Sequence, residues 1–217
     1  MQKPNGILEM DVRDELDWDP LLDDSRVVVK ADNGTVVLSG AVPTYYDSVL
    51  AFQDASDVVG VTHVDNKLLV GPAGEAVADK DIAADAAAHL DGDRFVPHGA
   101  VTADVDNGWV TLKGSVRHHF QRQAAEYAVR RVNGVLGITD KIEINADPIP
   151  SDVTDRIKKA FHRHAMIDDS AITVSNKDHT IYLDGTVKSW PEESAAVDTA
   201  WAAPGVSDVV DRLVVVP

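Results

Sequence analysis

The sequence repeats one nine-residue phrase three times, and this repetition restricts the possible folds more than any other feature. The copies are DNGTVVLSG (32–40), DNGWVTLKG (106–114) and KDHTIYLDG (177–185), and each ends in glycine. Twenty residues after each of these glycines comes a second glycine followed by valine. Matches at several fixed offsets are typical of a tandem array, so we predict three repeats of about 65–70 residues each. The predicted repeats span residues 1–72, 73–147 and 148–217.

Each repeat has the apolar pattern of a helix, two strands, a second helix and a third strand. The repeated phrase alternates apolar and polar residues, as a half-buried strand does. The flanking segments carry apolar residues at helical spacing, for example Val153, Ile157 and Phe161. We therefore predict an α+β fold of three tandem α-β-β-α-β units, each a three-stranded mixed sheet with two helices packed on one face. The predicted helices are 8–18 and 45–59, 79–90 and 118–133, and 151–164 and 191–204.

The turn that opens each phrase predicts a β-hairpin. Asn33-Gly34 and Asn107-Gly108 supply the positive φ angles that a type I′ turn requires. The third repeat has Asp178-His179 at these positions, without glycine. We therefore expect its hairpin to be strained or to use a longer loop.

Glycines occupy the same places in all three repeats. In the second repeat Val110, Leu112 and Val116 share the core side of the middle strand, and Gly114 lies in phase with them. We interpret this glycine as the place where a helix comes close to the sheet. The later glycine follows the second helix, where a left-handed residue often ends a helix. The structural glycines predicted in this way are Gly40, Gly60, Gly114, Gly134, Gly185 and Gly205.

Composition excludes several classes of function. The net charge of −16 repels phosphate backbones, so no nucleic-acid partner is expected. The absence of cysteine excludes thiolate metal sites and cysteine nucleophiles. The eight histidines lack metal-ligand spacing, and no phosphate-binding loop, dinucleotide fingerprint or nucleophile elbow occurs. We therefore predict no catalytic residues, no metal and no cofactor, and expect that the protein is not an enzyme.

The sheet face opposite the helices carries apolar side chains, although a lone unit would expose that face to water. Such patches usually mark an interface. Two alternatives remain at this stage: the repeats cover one another within the chain, or a partner protein or second copy binds there. Trp109 stands where the other repeats have Thr35 and Thr180, so it marks any contact particular to the middle repeat. The candidate interaction surface comprises Trp109, Val28, Val37, Leu69, Tyr182 and Val214.

A local set of arginines lies on the second helix of the middle repeat. Arg122 and Arg130 are eight residues apart and therefore share a helix face. They are candidates for contact with an acidic partner or with anionic lipid headgroups, and the alternative is pairing with an acidic neighbouring repeat. The full candidate set for anion or lipid contact is Arg117, Arg122, Arg130 and Arg131.

The repeat unit resembles the BON domain, a family named for bacterial osmotically inducible and nodulation proteins. The likeness rests on GTVVLSG…VVGV, on GWVTLKG…VNGV with ITDKIEI, and on TIYLDG…APGV with VSDVVDRLVV, which together cover nearly the whole chain. The third copy departs from the pattern at its turn, which has no glycine before Thr180. The resemblance implies binding and attachment modules without catalytic residues, often in periplasmic or outer-membrane proteins and associated with phospholipid surfaces and osmotic stress.

These observations lead to one functional expectation and one alternative. The first is a non-catalytic binding or scaffold protein that recognises a protein partner, or copies of itself, during envelope or osmotic stress. The alternative is a peripheral module that binds phospholipid, a small ligand or an ion. The N-terminal segment lacks an apolar signal-peptide core, so we expect a soluble cytoplasmic protein, or a periplasmic one if a leader precedes this sequence.

Overall fold

A computed structural model describes residues 3–71 and 77–216 of the chain. It contains the same five-element unit three times. The helices are α1 (Asn5–Trp18), α2 (Tyr45–Asp57), α3 (Asp79–Gly92), α4 (His119–Arg130), α5 (Val153–Arg163) and α6 (Trp190–Trp201). The strands are β1 (Val27–Asp32), β2 (Thr35–Val42), β3 (His63–Asn66), β4 (Leu69–Val70), β5 (Val101–Asp106), β6 (Trp109–Val116), β7 (Gly137–Ile144), β8 (Ile172–Lys177), β9 (Thr180–Val187) and β10 (Asp208–Val215).

Each repeat forms its own mixed sheet with the middle strand in the centre. The strand orders are β1-β2-β3, β5-β6-β7 and β10-β9-β8. The middle strand pairs antiparallel with the strand before it and parallel with the strand after the second helix. In the first repeat the third strand is interrupted after Asn66 and continues as β4. The predicted α+β architecture of three such units is confirmed.

Each repeat also has its own hydrophobic core between the sheet and its two helices. In the second repeat Val110 and Leu112 of β6 are fully buried, as the alternation predicted. They pack in one cluster with Ile82 of α3 and Ala125 of α4. The first and third repeats have corresponding clusters. Alanines on the buried face of the second helices, such as Ala125, let these helices lie close to their sheets.

All three hairpins have the same two-residue loop. Asn33 and Asn107 have φ angles of 51° and 50°, and a glycine with positive φ follows each of them. In the third repeat Asp178 has a φ of 53°, and Lys177 pairs with Thr180 across the loop. The prediction of a longer loop there is wrong. Aspartate tolerates the left-handed region, and His179, which stands where the other repeats have glycine, does not have a positive φ, so this turn closes with the same number of residues in a different backbone conformation.

The phrase-ending glycine is required by a neighbouring strand. A Cβ atom on Gly114, whose φ is 142°, would lie 2.0 Å from the carbonyl oxygen of Ala100, the residue before β5. A Cβ atom on Gly40 would lie 2.0 Å from the carbonyl oxygen of Arg26, and one on Gly185 would lie 2.1 Å from that of Ala171. Our interpretation that a helix approaches these glycines is therefore wrong. The backbone that enters the first strand of the hairpin occupies the space, and Ser115 N–H donates a hydrogen bond to the same Ala100 carbonyl at 3.1 Å.

The later glycines have the positive φ angles expected of them, between 81° and 100°. They lie in a turn three or four residues beyond the ends of α2, α4 and α6, so the second helices end earlier than predicted. At Gly134 a Cβ atom would lie 2.7 Å from Val77, in the segment that leads into α3. This turn therefore packs against the start of the repeat's own first helix.

Candidate binding surfaces

The second helices of the three repeats pack against one another in a closed ring. Five residues after each phrase-ending glycine, at equivalent positions, stand Tyr45, His119 and Trp190. Each is the first residue of its second helix, and each contacts a different repeat. Repeat one thus meets repeat two, repeat two meets repeat three, and repeat three returns to repeat one.

Two tyrosines of repeat one form the first interface of the ring. Tyr45 packs against the hydrophobic core of repeat two, and burial raises the pKa of its hydroxyl, with Glu126 adding to the shift. The Arg131 guanidinium donates a hydrogen bond to the Tyr46 hydroxyl at 3.0 Å and lies 4.7 Å from the centre of that ring. It also lies 4.5 Å from the ring of Tyr127 and donates to its hydroxyl. Stacking on two aromatic rings holds this guanidinium in place.

The second interface is a stack of His119 on Trp201. The ring centres are 3.9 Å apart and the planes differ by 9°. The Arg122 guanidinium lies 4.9 Å from the same Trp201 ring and forms an ion pair with Asp140 at 3.3 Å. Burial, and secondarily the charge of Arg122, lower the pKa of His119 to about 4. The imidazole at this interface is therefore neutral at physiological pH.

The third interface closes the ring. Trp190 at the start of α6 packs against the core of repeat one and meets Phe52 edge to face, with ring centres 6.4 Å apart. This geometry is a favourable one for aromatic pairs. Contacts within the chain therefore cover part of the surface of each second helix, while Phe120 and Tyr127 of α4 stay exposed.

The ring involves most of the arginines that the sequence singled out. Arg122 and Arg131 contact aromatic side chains of neighbouring repeats. Arg130 pairs with Glu126 at 2.9 Å and is only 16% exposed at its side chain. Arg117 and Arg131 are the exposed members of the four, and Arg117, whose side chain is 74% exposed, faces Asp147 at 3.7 Å.

The outer faces of the sheets point away from the helices and carry the apolar residues predicted there. Val28 is 46% exposed, Leu69 73% and Val214 57%. Val37 and Tyr182 are half-buried on the same faces. The structure thus brings the repeats together through their helices, and it leaves these sheet residues open to solvent.

Trp109 is exposed to 51%, but part of its role is structural. Its indole N–H donates to the Thr139 hydroxyl at 2.8 Å, and its ring covers Gly137, where a Cβ atom would lie 2.5 Å from the ring. The tryptophan therefore fills the space that glycine leaves on the neighbouring strand. The other repeats pair a threonine with His63 or Asp208 at these positions. At these two paired positions repeat two has tryptophan in place of threonine and glycine in place of a larger residue. This paired change was visible in the sequence, and we missed it.

A carboxyl pair in repeat three is another feature that sequence reasoning missed. Glu193 of α6 and Asp211 of β10 occupy the positions of Arg122 and Asp140 in repeat two. Repeat two has an ion pair there, whereas repeat three places two acids together. Burial raises the pKa of Glu193 to about 7, and the charge of Asp211 and a hydrogen bond to it add to the shift.

Glu193→Gln is expected to stabilise the protein at pH 8 and to have little effect at pH 4. The folded-state pKa of Glu193 lies above its unfolded value of 4.5, so wild-type stability is lost as the pH rises from that value through about 7. Because the side chain is partly exposed, we expect a gain of about 1 kcal/mol at pH 8. Urea unfolding at the two pH values measures the difference. Glu143→Gln, an exposed change on β7, is the matched control, and an equal effect at both pH values would contradict the prediction.

Within residues 3–71 and 77–216 no helix has the length and apolar character needed to cross a bilayer. The same residues contain no cluster of three or more histidine or acidic side chains arranged to hold a metal ion. Among these residues the candidate binding surfaces are the ring of second helices and the outer faces of the three sheets.

A family model described as BON domain matches this chain three times, at residues 5–72, 78–146 and 151–217. The chain belongs to the BON domain family. Each match contains one complete α-β-β-α-β unit, so the BON unit and the structural repeat coincide. The ring described above is thus made by three BON units of a single chain.

Similarity to individual proteins is more limited. Osmotically-inducible protein Y of Escherichia coli (strain K12) is 31% identical over 122 residues, which cover 54% of this chain and 61% of that protein. This chain thus covers about three fifths of the length of that relative. Two structures of CdsD, a structural protein of the type III secretion system of Chlamydia trachomatis, one of them its C-terminal domain, cover 97% of this chain and 93% and 98% of their own. Both are 16% identical with a TM-score of 0.27, a value too low to support any inference.

Proposed function

We propose that this protein is a non-catalytic binding or scaffold protein whose outer sheet faces bind a protein partner or a second copy of the chain. The exposure of Val28, Leu69 and Val214 on those faces carries the proposal. The ring covers part of the second helices, whereas Leu69 and Val214 on the sheets are more than half exposed. Exposed apolar groups on an otherwise charged protein favour an interface.

A role under osmotic or envelope stress rests on membership of the family and on the likeness to a relative named for osmotic induction. The strongly acidic composition is compatible with such a role, since a net charge of −16 keeps the chain well hydrated. Stress would then change how much of the partner is bound, and no reaction would be catalysed.

A protein partner is better supported than a phospholipid surface. Arg122, Arg130 and Arg131 already have acidic or aromatic partners within the chain. Arg117 and Arg131 are both exposed, but Arg117 faces Asp147 at 3.7 Å and Arg131 stacks on two tyrosine rings. A protein of net charge −16 whose four candidate arginines have partners within the chain is repelled by anionic headgroups.

Val37→Lys and Tyr182→Lys are expected to weaken self-association or partner binding, because each replaces an apolar group of an outer sheet face by a charge. At Tyr182 the new lysine would also lie beside Arg212, whose guanidinium is 5.1 Å from the centre of the tyrosine ring. Light scattering across a concentration series reports self-association, and pull-down with wild type as the reference reports a partner. Gln53→Lys is the matched control, since it adds the same charge at an exposed polar position of α2, away from the sheet faces. If wild type is strictly monomeric and retains no partner, the proposal fails.

Vesicle flotation separates the phospholipid alternative from this proposal. We expect no flotation with vesicles that contain anionic lipid at low ionic strength. Salt-sensitive flotation that is lost in Arg117→Glu would instead support lipid binding, and would contradict the preference for a protein partner. This arginine is suitable for the test because its side chain is 74% exposed and its loss leaves the ring intact.

A further inference from the structure

The interface between repeats two and three contains a cavity of about 560 Å³. It lies between the first turn of α4 and the last turn of α6, with the segment after β7 at its edge. Its volume is that of a site for a small ligand. Its lining includes His119, Phe120, Asp147, Asp198, Trp201 and Ala202.

The origin of this cavity follows from comparison with the first interface of the ring. There the Arg131 guanidinium fills the corresponding place and stacks on Tyr46 and Tyr127. Counted from the phrase-ending glycine, the residue equivalent to Arg131 is Ala202. The cation that fills one interface is thus replaced by a methyl group in the next.

At the second interface, the residues equivalent to those that surround Arg131 at the first also suit a cation. The residue equivalent to Tyr46 is Phe120, so the aromatic ring is retained without the hydroxyl that accepts a hydrogen bond from Arg131. The His118 ring stacks on Phe120 with ring centres 5.5 Å apart, so a ligand cation would pack on the remaining surface of that ring. The residue equivalent to Tyr127 is Asp198, so a carboxylate stands where the first interface has a neutral ring. An aromatic face together with a carboxylate is a favourable setting for a guanidinium, which stacks and donates hydrogen bonds at once.

Two polar groups in the lining lack partners among the described residues. Asp198 is exposed and forms no ion pair with any of them, and partial desolvation raises the pKa of its carboxyl. Nδ1 of His119 is buried and forms no hydrogen bond with any of them. A ligand with several N–H donors would satisfy both groups, since a neutral imidazole and a carboxylate both accept hydrogen bonds.

Charge at the mouth of the cavity favours a cation as well. Asp147 lies there opposite Arg117 at 3.7 Å, and both side chains are more than 70% exposed. With Asp198 the lining aspartates outnumber this arginine. The high net negative charge of the chain also raises the local concentration of cations.

We propose that the cavity between repeats two and three binds a guanidinium group, which occupies the place that Arg131 fills in the preceding interface. The planar cation stacks on Phe120 and pairs with Asp198. The group comes from a free small molecule or from an arginine side chain presented by a peptide. This site is independent of the outer sheet faces and therefore goes beyond the function proposed above.

Titration of the full-length, ¹⁵N-labelled chain with methylguanidinium tests the proposal. The indole N–H signal of Trp201, assigned by Trp201→Phe, is expected to shift at up to about 20 mM, where a millimolar site is occupied. Methylurea, the neutral analogue, is the matched control and should leave the signal in place. Acetyl-arginine amide in a parallel titration distinguishes a free cation from a side chain, and a shift with either cation supports the proposal.

Two variants make the test specific. Asp198→Asn is expected to weaken binding about tenfold or more, because a charge-assisted hydrogen bond is lost. Ala202→Arg should abolish the shift and raise the melting temperature, since the new guanidinium fills the cavity as Arg131 does in the first interface. Absence of a shift with both cations, an equal shift with methylurea, or unchanged affinity in Asp198→Asn would overturn the proposal.

Discussion

Gly114→Ala is expected to destabilise the second repeat by about 3 kcal/mol or more. The new Cβ atom would lie 2.0 Å from the Ala100 carbonyl oxygen, a distance that requires the backbone to move. The φ angle of 142° is also unfavourable for any residue with a side chain. The hairpin would have to separate at the end where Val101 pairs with Gly114. Urea unfolding of the full chain, followed by circular dichroism, measures the loss.

Gly92→Ala is the matched control for this experiment. Gly92 is the last residue of α3, and a Cβ atom there would meet nothing within 4 Å. Alanine is a better helix former than glycine, so this change should be neutral or stabilising by up to about 1 kcal/mol. Equal stability of Gly114→Ala and Gly92→Ala would refute the account of the hairpin given above.

Trp190→Ala is expected to open the ring between repeats three and one, at a cost of about 2–4 kcal/mol. The indole packs on the core of repeat one and against Phe52, so its removal leaves a cavity at the interface. Repeat one should then unfold at a lower temperature, because it loses its interface with repeat three and keeps only the one with repeat two. Calorimetry is expected to show an additional transition at lower temperature.

Trp18→Ala removes the same type of side chain from the surface and serves as the control. Trp18 ends α1 and is 83% exposed, so its loss should change stability by less than about 0.5 kcal/mol. A single unaltered transition in Trp190→Ala would mean that the ring contributes little to stability in solution.

The unit fold could be predicted from sequence because its signals are local. Alternation along β6 identified Val110 and Leu112 as core residues, and the Asn107-Gly108 turn identified the hairpin. The errors of the sequence-based prediction also concerned local features. Gly114 was correctly identified as a close approach, but the approaching group is the Ala100 carbonyl. Strand periodicity shows which side of a sheet is crowded and does not show which atoms crowd it.

The candidate surfaces were predictable only in part. The exposed apolar residues of the outer faces, such as Leu69, followed from strand alternation. The covering of Gly137 by Trp109 did not, because it depends on the parallel pairing of two strands separated by a helix. The Glu193–Asp211 pair was missed because it depends on how α6 packs on β10.

By itself the sequence determined the repeat, its secondary structure and the sidedness of each sheet, because these follow from periodicities within a few residues. Only the tertiary structure decided how the repeats combine. The contacts that close the ring are made by Tyr45, His119 and Trp190, three chemically different residues at one equivalent position. Their partners lie in other repeats, so no short-range pattern records them. The packing of those side chains leaves the outer sheet faces free of contacts between repeats. Ala202 stands where repeat two has Arg131, and a cavity lies at that place in the ring.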